Sequence, residues 1–415
     1  MKKRPLSLKD IVILLCCVLL MATTMGIVNM VLSIFYPIVS LDLEVSRASF
    51  SLTGTITAIS AMIASLFWGL HYSKKPLQAG MVICIMILGL SLMGMQAATN
   101  LYHFYALALV IGIAYAGSSI IPVSIIINRH FTLKTGLTLS AALAGSGLGA
   151  MVLNPIINTL INNSGWRDGY LLLAMVTLAI TLPCGILVTQ LTKGETQVRQ
   201  TPAETATANQ AAPLFKRAWV WAFLSGAFLA GFTGGAVLAN LPTYLKDLNF
   251  PVSRVSFVTS AYAASLVIGK FILGFLYDRL GAKASTVVAG LTMALSLALM
   301  VVIDAPIMLA LMLINIGIGL AIGTVSITWL ANYFFSKEDY SKYYGTVQFA
   351  NSLGIAAGVP IIASALENLA NTDLLWISLS LLGVLMGFLF IKSINGNQKE
   401  KAAAISSTIE ATKRG

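Results

Sequence analysis

Long apolar segments constrain this chain more than any other sequence feature. Each has about the length that a helix needs to cross roughly 30 Å of hydrocarbon. Backbone groups in lipid must hydrogen-bond within their own segment, which favours helices. With 57% hydrophobic and 10% charged residues, the chain is too apolar for a soluble protein of 415 residues. The sequence therefore predicts an all-α membrane protein with twelve transmembrane helices, at residues 11–38, 49–70, 79–98, 104–127, 136–161, 169–191, 218–245, 253–276, 284–303, 307–331, 344–366 and 374–391.

The distribution of Lys and Arg predicts the orientation of these helices. If the N-terminus is cytoplasmic, the basic residues outside the apolar segments all lie in the cytoplasm except Arg47, Arg167, Lys246 and Arg254. This asymmetry follows the positive-inside rule, so both termini are expected in the cytoplasm. The formal charge of +11 then reflects topology, and no nucleic-acid partner is expected. The first apolar segment is too long for a signal peptide and lacks a small-residue cleavage site, so we expect it to remain as an anchor.

Three short motifs recur in the second half of the chain at a nearly constant offset. The offset is 204 to 207 residues, about half the length of the chain. Co-linear matches at one spacing indicate a duplication, so the chain is predicted to form two pseudo-symmetric six-helix halves. In the first pair of motifs, Ser46 and Ser253 are each expected to cap the helix that follows. The matched pairs are residues 45–50 with 252–257, 69–74 with 274–279, and 128–131 with 332–335.

The halves and the polar stretches between them predict four regions. Residues 1–191 form the N-terminal half and residues 218–392 the C-terminal half. Residues 192–217 are polar and without apolar periodicity, which is typical of a flexible cytoplasmic linker. The polar stretch 393–415 is expected to be a disordered cytoplasmic tail, with a short surface helix as the alternative.

The stretch around Asp278 resembles the signature loop of the major facilitator superfamily. The resemblance implies that superfamily's fold, with a substrate site at the midplane between the halves. It also implies a gate in which Asp278 accepts hydrogen bonds from a neighbouring helix N-terminus and Arg279 clamps across the halves. Ser73 stands where the first-half copy would need Asp, so the gate is expected to be asymmetric. The predicted gating residues are Gly274, Asp278, Arg279, Gly281 and, at the end of the fourth helix, Arg129.

A second group of motifs runs from the fourth helix to the sixth. It consists of Asn-Arg-His-Phe at 128–131, Gly-Ser-Gly-Leu-Gly at 145–149 and Gly-Trp-Arg at 165–167. These motifs resemble the bacterial oxalate/formate antiporters and the monocarboxylate transporters. The resemblance implies a small organic anion as substrate, with a proton or a counter-anion as coupling partner. It also implies a monomer in the plasma (inner) membrane of a bacterium.

Lys270 is the only charged residue deep within an apolar segment. A charge at that depth costs about 2.5–3.5 kcal/mol on insertion scales, so a functional role is the default interpretation. The resemblance places it where the branch has an Arg that binds the substrate carboxylate. Asn351 stands where the dicarboxylate members have a second cation, so a monocarboxylate is the favoured substrate. The alternatives are that Lys270 extends to the membrane surface or makes a purely structural hydrogen bond.

Uncharged polar residues in other segments are the remaining candidate ligands. Each has a hydrogen-bonding side chain at membrane depth, but each is equally suited to a contact between helices. With Lys270, the predicted substrate-binding set is Tyr262, Asn351, Gln348, Asn315 and Asn29.

Missing motifs narrow the function further. No phosphate-binding loop, metal-ligand cluster or nucleophile constellation is present, so neither an enzyme nor a cofactor is expected. No Asp, Glu or His lies within an apolar segment, which disfavours a proton-coupled exporter of cationic drugs. The favoured function is secondary transport of an organic anion by alternating access. Transport of a neutral or cationic solute and a non-transporting membrane sensor remain as alternatives.

Overall fold

Twelve membrane-crossing helical segments build the protein. The computed structural model describes residues 7–131, 134–193, 214–369 and 372–414. The first half contains α1 (Leu8–Asp42), α2 (Arg47–Lys74), α3 (Leu77–Gln96), α4 (Leu101–His130), α5 (Thr135–Ser164) and α6 (Trp166–Leu191). The second half contains α7 (Ala218–Asp247), α8 (252–280), α9 (282–299), α10 (Pro306–Phe334), α11 (Lys337–Asn368) and α12 (Asp373–Arg414). The predicted fold class is confirmed.

A glycine divides α8 from α9. The two segments form one stretch of helix, Val252–Leu299, which is interrupted only at Gly281 with φ 75°. Residues with side chains rarely adopt a positive φ, so a glycine suits this turn. The described residues accordingly contain eleven helices long enough to cross a membrane, and the division at Gly281 makes twelve crossings.

The helix starts explain one correct and one incorrect capping prediction. Ser46 caps α2 by accepting a hydrogen bond from the backbone N–H of Ser49. The matching prediction for Ser253 is wrong, because α8 begins one residue earlier, at Val252, and Pro251 occupies the cap position. Proline has a fixed φ and is tolerated at a helix start, where an N–H has no partner within the helix.

Two helices are broken at matching positions of the duplication. In α4 the helix stops at Ser118 and resumes at Ile120, because Ser119 has φ −104° and ψ −122°. In α10 the corresponding residue is Thr324, 205 residues later, with φ −121° and ψ −60°. The first half has a further irregularity in α1, where Ile27–Val31 forms a π turn. Such turns occur frequently at functional sites.

The predicted tail is helical where the structure describes it. Helix α12 continues to Arg414, so the expectation of disorder is wrong for residues 393–414. Ser393, Ile394 and Asn397 are buried, and the Trp219 indole donates to Glu400 at 2.7 Å. These contacts give the polar extension a packed face and extend the helix beyond its apolar part. Residues 194–213 of the predicted linker lie outside the part of the chain that the structure describes.

The halves pack together at one end of the bundle. This end carries Lys74, Arg129 and Lys283, and we call it the basic end. The larger apolar core joins both halves and includes Trp68 and Tyr72 near the basic end of α2. A smaller core near the opposite end consists of first-half residues, among them Phe50, Phe104 and Trp166. Among the described residues, the core that the two halves share includes the basic side, whereas the smaller core belongs to the first half.

Candidate functional site

Lys270 lies at the seam between α5 and α8, where the two halves meet. Its side chain is 2% exposed. The ammonium nitrogen Nζ donates to the backbone oxygen of Leu143 at 3.1 Å and to Ser146 Oγ at 3.2 Å, both on α5. A built Cβ at Gly147 would lie 2.6 Å from a methyl carbon of Val267, so glycine lets the helices approach at this level. The seam thus holds a cation between the halves.

Neutral groups surround the charge of Lys270. Its two hydrogen-bond acceptors are a carbonyl and a hydroxyl, and no carboxylate pairs with it among the described residues. The side chain points to α5, so the alternative that it extends to the membrane surface is wrong. A buried cation with only neutral partners keeps much of its desolvation cost. An anion reaching this nitrogen would compensate that charge.

Three of the other predicted ligands are engaged within the second half. Gln348 donates from Nε2 to the Tyr344 hydroxyl at 2.6 Å. Asn351 donates from Nδ2 to the backbone oxygen of Ala227 on α7 at 3.1 Å. Asn315 donates to the Leu311 carbonyl of its own helix at 2.8 Å. In this conformation these bonds connect helices or helical turns. This is the alternative in which the polar residues make contacts between helices instead of binding substrate.

Tyr262 and Asn29 differ in their surroundings. Tyr262 is buried on α8, eight residues before Lys270. Asn29 is exposed on α1 and donates to the Tyr115 hydroxyl at 3.0 Å. One turn below it, a built Cβ at Gly26 would be 2.8 Å from the Ser146 carbonyl oxygen. The predicted set is therefore not assembled into one site, but Asn29 lies one helical turn from Gly26, which packs on the backbone of Ser146.

A small pocket of about 70 Å³ opens beside Asn29, on the side of the midplane away from the basic end. It lies between α1, α2 and α4 and presents Tyr36, Thr53, Thr57 and Tyr115. Its walls combine apolar surface with hydroxyl and amide groups and contain no charged side chain. The pocket suits a small solute with hydrogen-bonding groups.

Two pairs of glycines close the basic end. Gly69 of α2 meets Gly345 of α11, where a built Cβ on Gly69 would lie 2.9 Å from the Gly345 Cα. Gly136 of α5 meets Gly274 of α8, where a built Cβ on Gly136 would lie 2.5 Å from the Gly274 oxygen. The duplication relates Gly69 to Gly274 at an offset of 205 and Gly136 to Gly345 at an offset of 209. The same contact is thus made twice across the pseudo-twofold axis.

Polar contacts reinforce the two glycine pairs unequally. Asp278 accepts hydrogen bonds at 2.8 Å from two backbone N–H groups in the first turn of α5, those of Gly136 and Leu137. The resemblance to the signature loop predicted this contact. At the other pair, Arg129 donates to Ser341 Oγ at 3.1 Å. Arg279 is exposed and packs on Phe275 of its own helix at 5.3 Å. The expected clamp by Arg279 is therefore wrong for this conformation, in which the arginine that contacts the other half here is Arg129.

The two-halved architecture agrees with a sequence comparison. The model of the Major Facilitator Superfamily matches residues 14–252 and 223–412. The chain belongs to this superfamily. The structure of the proton:xylose symporter XylE has the same fold, with a TM-score of 0.74 at 14% identity over 92% of this chain and 95% of that one.

Curated superfamily members with similar sequences include two of different origin. The uncharacterized MFS-type transporter YcxA of Bacillus subtilis (strain 168) is 25% identical over 57% of this chain. Monocarboxylate transporter 13 of Bos taurus is 25% identical over 64% of it. The matched regions span 58% and 61% of those proteins, less than two thirds of their length. The chain is thus a superfamily member related to monocarboxylate transporters.

Several site residues of this superfamily member escaped prediction from the sequence. Tyr115 was not among the predicted ligands, although it accepts a hydrogen bond from Asn29 at the pocket. Gly345 and Ser341 were not singled out, although both contact the first half. A signal for Gly345 existed, because the duplication offset applied to Gly136 leads to its neighbourhood.

Replacing Asp278 with Asn is expected to loosen the basic end. The amide keeps one acceptor but loses the charge that favours the α5 N-terminus, which costs about 1 kcal/mol. We expect roughly fivefold faster maleimide labelling of a Ser124→Cys reporter, which is 1% exposed on α4. The four native cysteines are first replaced by Ala. Asp304→Asn, in an exposed loop at the opposite end, is the control, and equal acceleration by both variants would contradict the capping role.

Proposed function

We propose that this protein is a secondary transporter that carries a small organic anion, a monocarboxylate, by alternating access between its halves. The observation that carries the proposal is the buried Lys270, whose hydrogen-bond acceptors at the seam are neutral. One uncompensated cation matches one carboxylate. The relationship to monocarboxylate transporter 13 supports the same substrate class.

In this proposal the described conformation is open to the outside. The positive-inside rule assigns the basic end to the cytoplasm, and that end is closed by the two glycine pairs and Asp278. The pocket at Asn29 and Tyr115 lies beyond the gate, on the outer side of the midplane. Asn29 of this pocket lies one helical turn from Gly26, which packs on the backbone of Ser146, and Ser146 accepts from Lys270.

Lys270 would also couple binding to movement. Its bonds to Leu143 and Ser146 join α8 to α5, hence one half to the other. A carboxylate that takes the ammonium hydrogens competes with those bonds and weakens the seam on the cytoplasmic side. A ligand shifts a two-state equilibrium only through such a difference in contacts between the states. Binding from outside would therefore favour opening inside.

Competition in proteoliposomes tests the substrate class. Uptake of labelled lactate, pyruvate, acetate and formate is measured with and without unlabelled competitors. We expect at least one of these monocarboxylates to be taken up and to be displaced by others of the set. Its neutral amide should compete at least tenfold less well, because the amide cannot compensate the charge of Lys270. Dicarboxylates such as oxalate should also compete poorly.

Two outcomes would overturn the proposal. Uptake of neutral or cationic solutes that carboxylates do not inhibit would indicate a different substrate class. Saturable binding of a monocarboxylate without flux in either direction would indicate a membrane sensor with a transporter fold.

A further inference from the structure

A basic groove lies on the surface of α12, where the last predicted apolar segment meets the predicted tail. Its lining is Phe388, Ile391, Lys392, Asn395, Gly396 and Lys399. Lys392 and Lys399 are exposed, and neither has a hydrogen-bond or ion-pair partner among the described residues. Gly396 forms the floor, since a built Cβ there would be 2.7 Å from the Trp219 Cβ. The groove is thus a built surface feature with two unpaired cations.

The groove continues an apolar face of the same helix. Leu381 and Phe388 are 65% and 60% exposed, and the face passes through Leu385 between them. Lys392 follows Phe388 by one turn, and Lys399 follows Lys392 by two turns, about 10 Å further along the axis. Residues at such spacings share one helix face. A single stripe therefore passes from lipid-facing hydrocarbon to cationic groups at the membrane boundary.

The neighbouring helix adds a further cation. Helix α9 packs antiparallel to α12, with Gly290 close to Gly387. Lys283 precedes this crossing by seven residues, so it lies about 10 Å towards the basic end. It is exposed at about the same level of the bundle as Lys392, which follows Gly387 by five residues. The local field at the groove is therefore positive.

The nearest carboxylate of α12 does not neutralise this field. Glu400 accepts from Arg217 at 2.8 Å and from the Trp219 indole at 2.7 Å. Both partners lie at the start of α7, against the packed face of α12. The lysines of the groove have no such counter-ion.

We propose that this groove binds the headgroup of an anionic phospholipid of the surrounding bilayer. The phosphate would lie between Lys392 and Lys399, and an acyl chain would follow the stripe of Leu381, Leu385 and Phe388. Basic pockets at the cytoplasmic side of membrane helices attract anionic headgroups for this electrostatic reason. The continuous apolar stripe favours a lipid over free phosphate, because free phosphate has no acyl chain to pack against the stripe.

Thermal unfolding of the full-length protein in detergent tests the proposal. Phosphatidylglycerol is titrated against the protein, with phosphatidylcholine and inorganic phosphate in parallel. We expect phosphatidylglycerol to raise the Tm in a saturable manner and the other two to leave it unchanged. The Lys392→Gln/Lys399→Gln variant should bind phosphatidylglycerol about 30-fold more weakly, since each lysine contributes about 1 kcal/mol.

A matched control uses two exposed lysines at the same end of the bundle. Lys74→Gln/Lys75→Gln removes the same charge outside the groove and should keep the full Tm response. Lys392→Arg/Lys399→Arg should also keep it, which distinguishes a lost charge from a damaged helix. Equal loss in the control variant, or an equal response to phosphatidylcholine or to inorganic phosphate, would overturn the proposal. The test uses no transport substrate, so its outcome does not depend on the proposed function.

Discussion

Lys270→Gln is expected to abolish carrier-mediated uptake of the monocarboxylate found in the competition experiment. Glutamine keeps the length and hydrogen-bonding capacity of the side chain approximately but removes the buried positive charge of Lys270. Losing one partner of a buried, hydrogen-bonded charge pair costs about 2–5 kcal/mol. We therefore expect uptake in proteoliposomes to fall at least 100-fold. Lys270→Arg should retain measurable uptake, because the charge persists although its geometry changes.

Ser146→Ala provides the matched control for that experiment. It removes one neutral acceptor of Lys270 and leaves the cation in place. A single neutral hydrogen bond contributes about 0.5–1.5 kcal/mol, so uptake should stay within roughly tenfold of the unmodified protein. Wild-type-like uptake by Lys270→Gln, with the protein folded and correctly inserted, would refute a role for this lysine in substrate binding.

Gly345→Leu is expected to hold the basic end open and so to stop transport. A Cβ at this position would collide with the backbone oxygen of Ser65, and Gly69 leaves no room on the facing helix. Because backbone atoms cannot move aside as a flexible side chain can, α2 and α11 would have to separate. Overpacking of this kind typically costs 1–3 kcal/mol, which favours the conformation without the contact. We expect at least a tenfold loss of uptake.

The accessibility of the Ser124→Cys reporter distinguishes an open gate from a misfolded protein. In the Gly345→Leu background, labelling from the basic side should become fast while thermal stability stays near that of the parent. Gly234→Ala is the control, since its Cβ would approach only a methyl group of Leu320, at 3.5 Å. Slow labelling of the reporter in Gly345→Leu would mean that closure does not require this glycine pair.

The sequence predicted the architecture because the bilayer imposes strong, local requirements. Span length, hydropathy and the Lys and Arg distribution each depend on residues close together in the chain. The signature loop likewise predicted the partner of Asp278, since a carboxylate at that position needs donors and a helix N-terminus supplies them. The extent of α12 was mispredicted, because composition carries no information about the packing of Ile394 and Glu400 against other helices.

The candidate site was less predictable because it depends on the direction in which each polar side chain points. Asn351 and Gln348 are polar and at membrane depth, yet both turn towards neighbours within the second half. Asn29 has the same composition signal and instead lies at the pocket with Tyr115. Nothing in the sequence around these residues distinguishes the two outcomes. The distinction requires the rotation of each helix about its axis, which tertiary packing determines.

The break at Ser119 would allow the end of α4 to pivot relative to the rest of the helix. Tyr115 lies just before the break, beside the pocket, and Arg129 lies ten residues beyond it, at the gate. Ten residues of helix are about 15 Å long, so a change of about 5° in the bend at Ser119 would displace the guanidinium of Arg129 by roughly 1.3 Å. A displacement of that size is enough to release Arg129 from Ser341, which it contacts at 3.1 Å. A small change at the pocket would thus break the contact between Arg129 and Ser341 at the basic end.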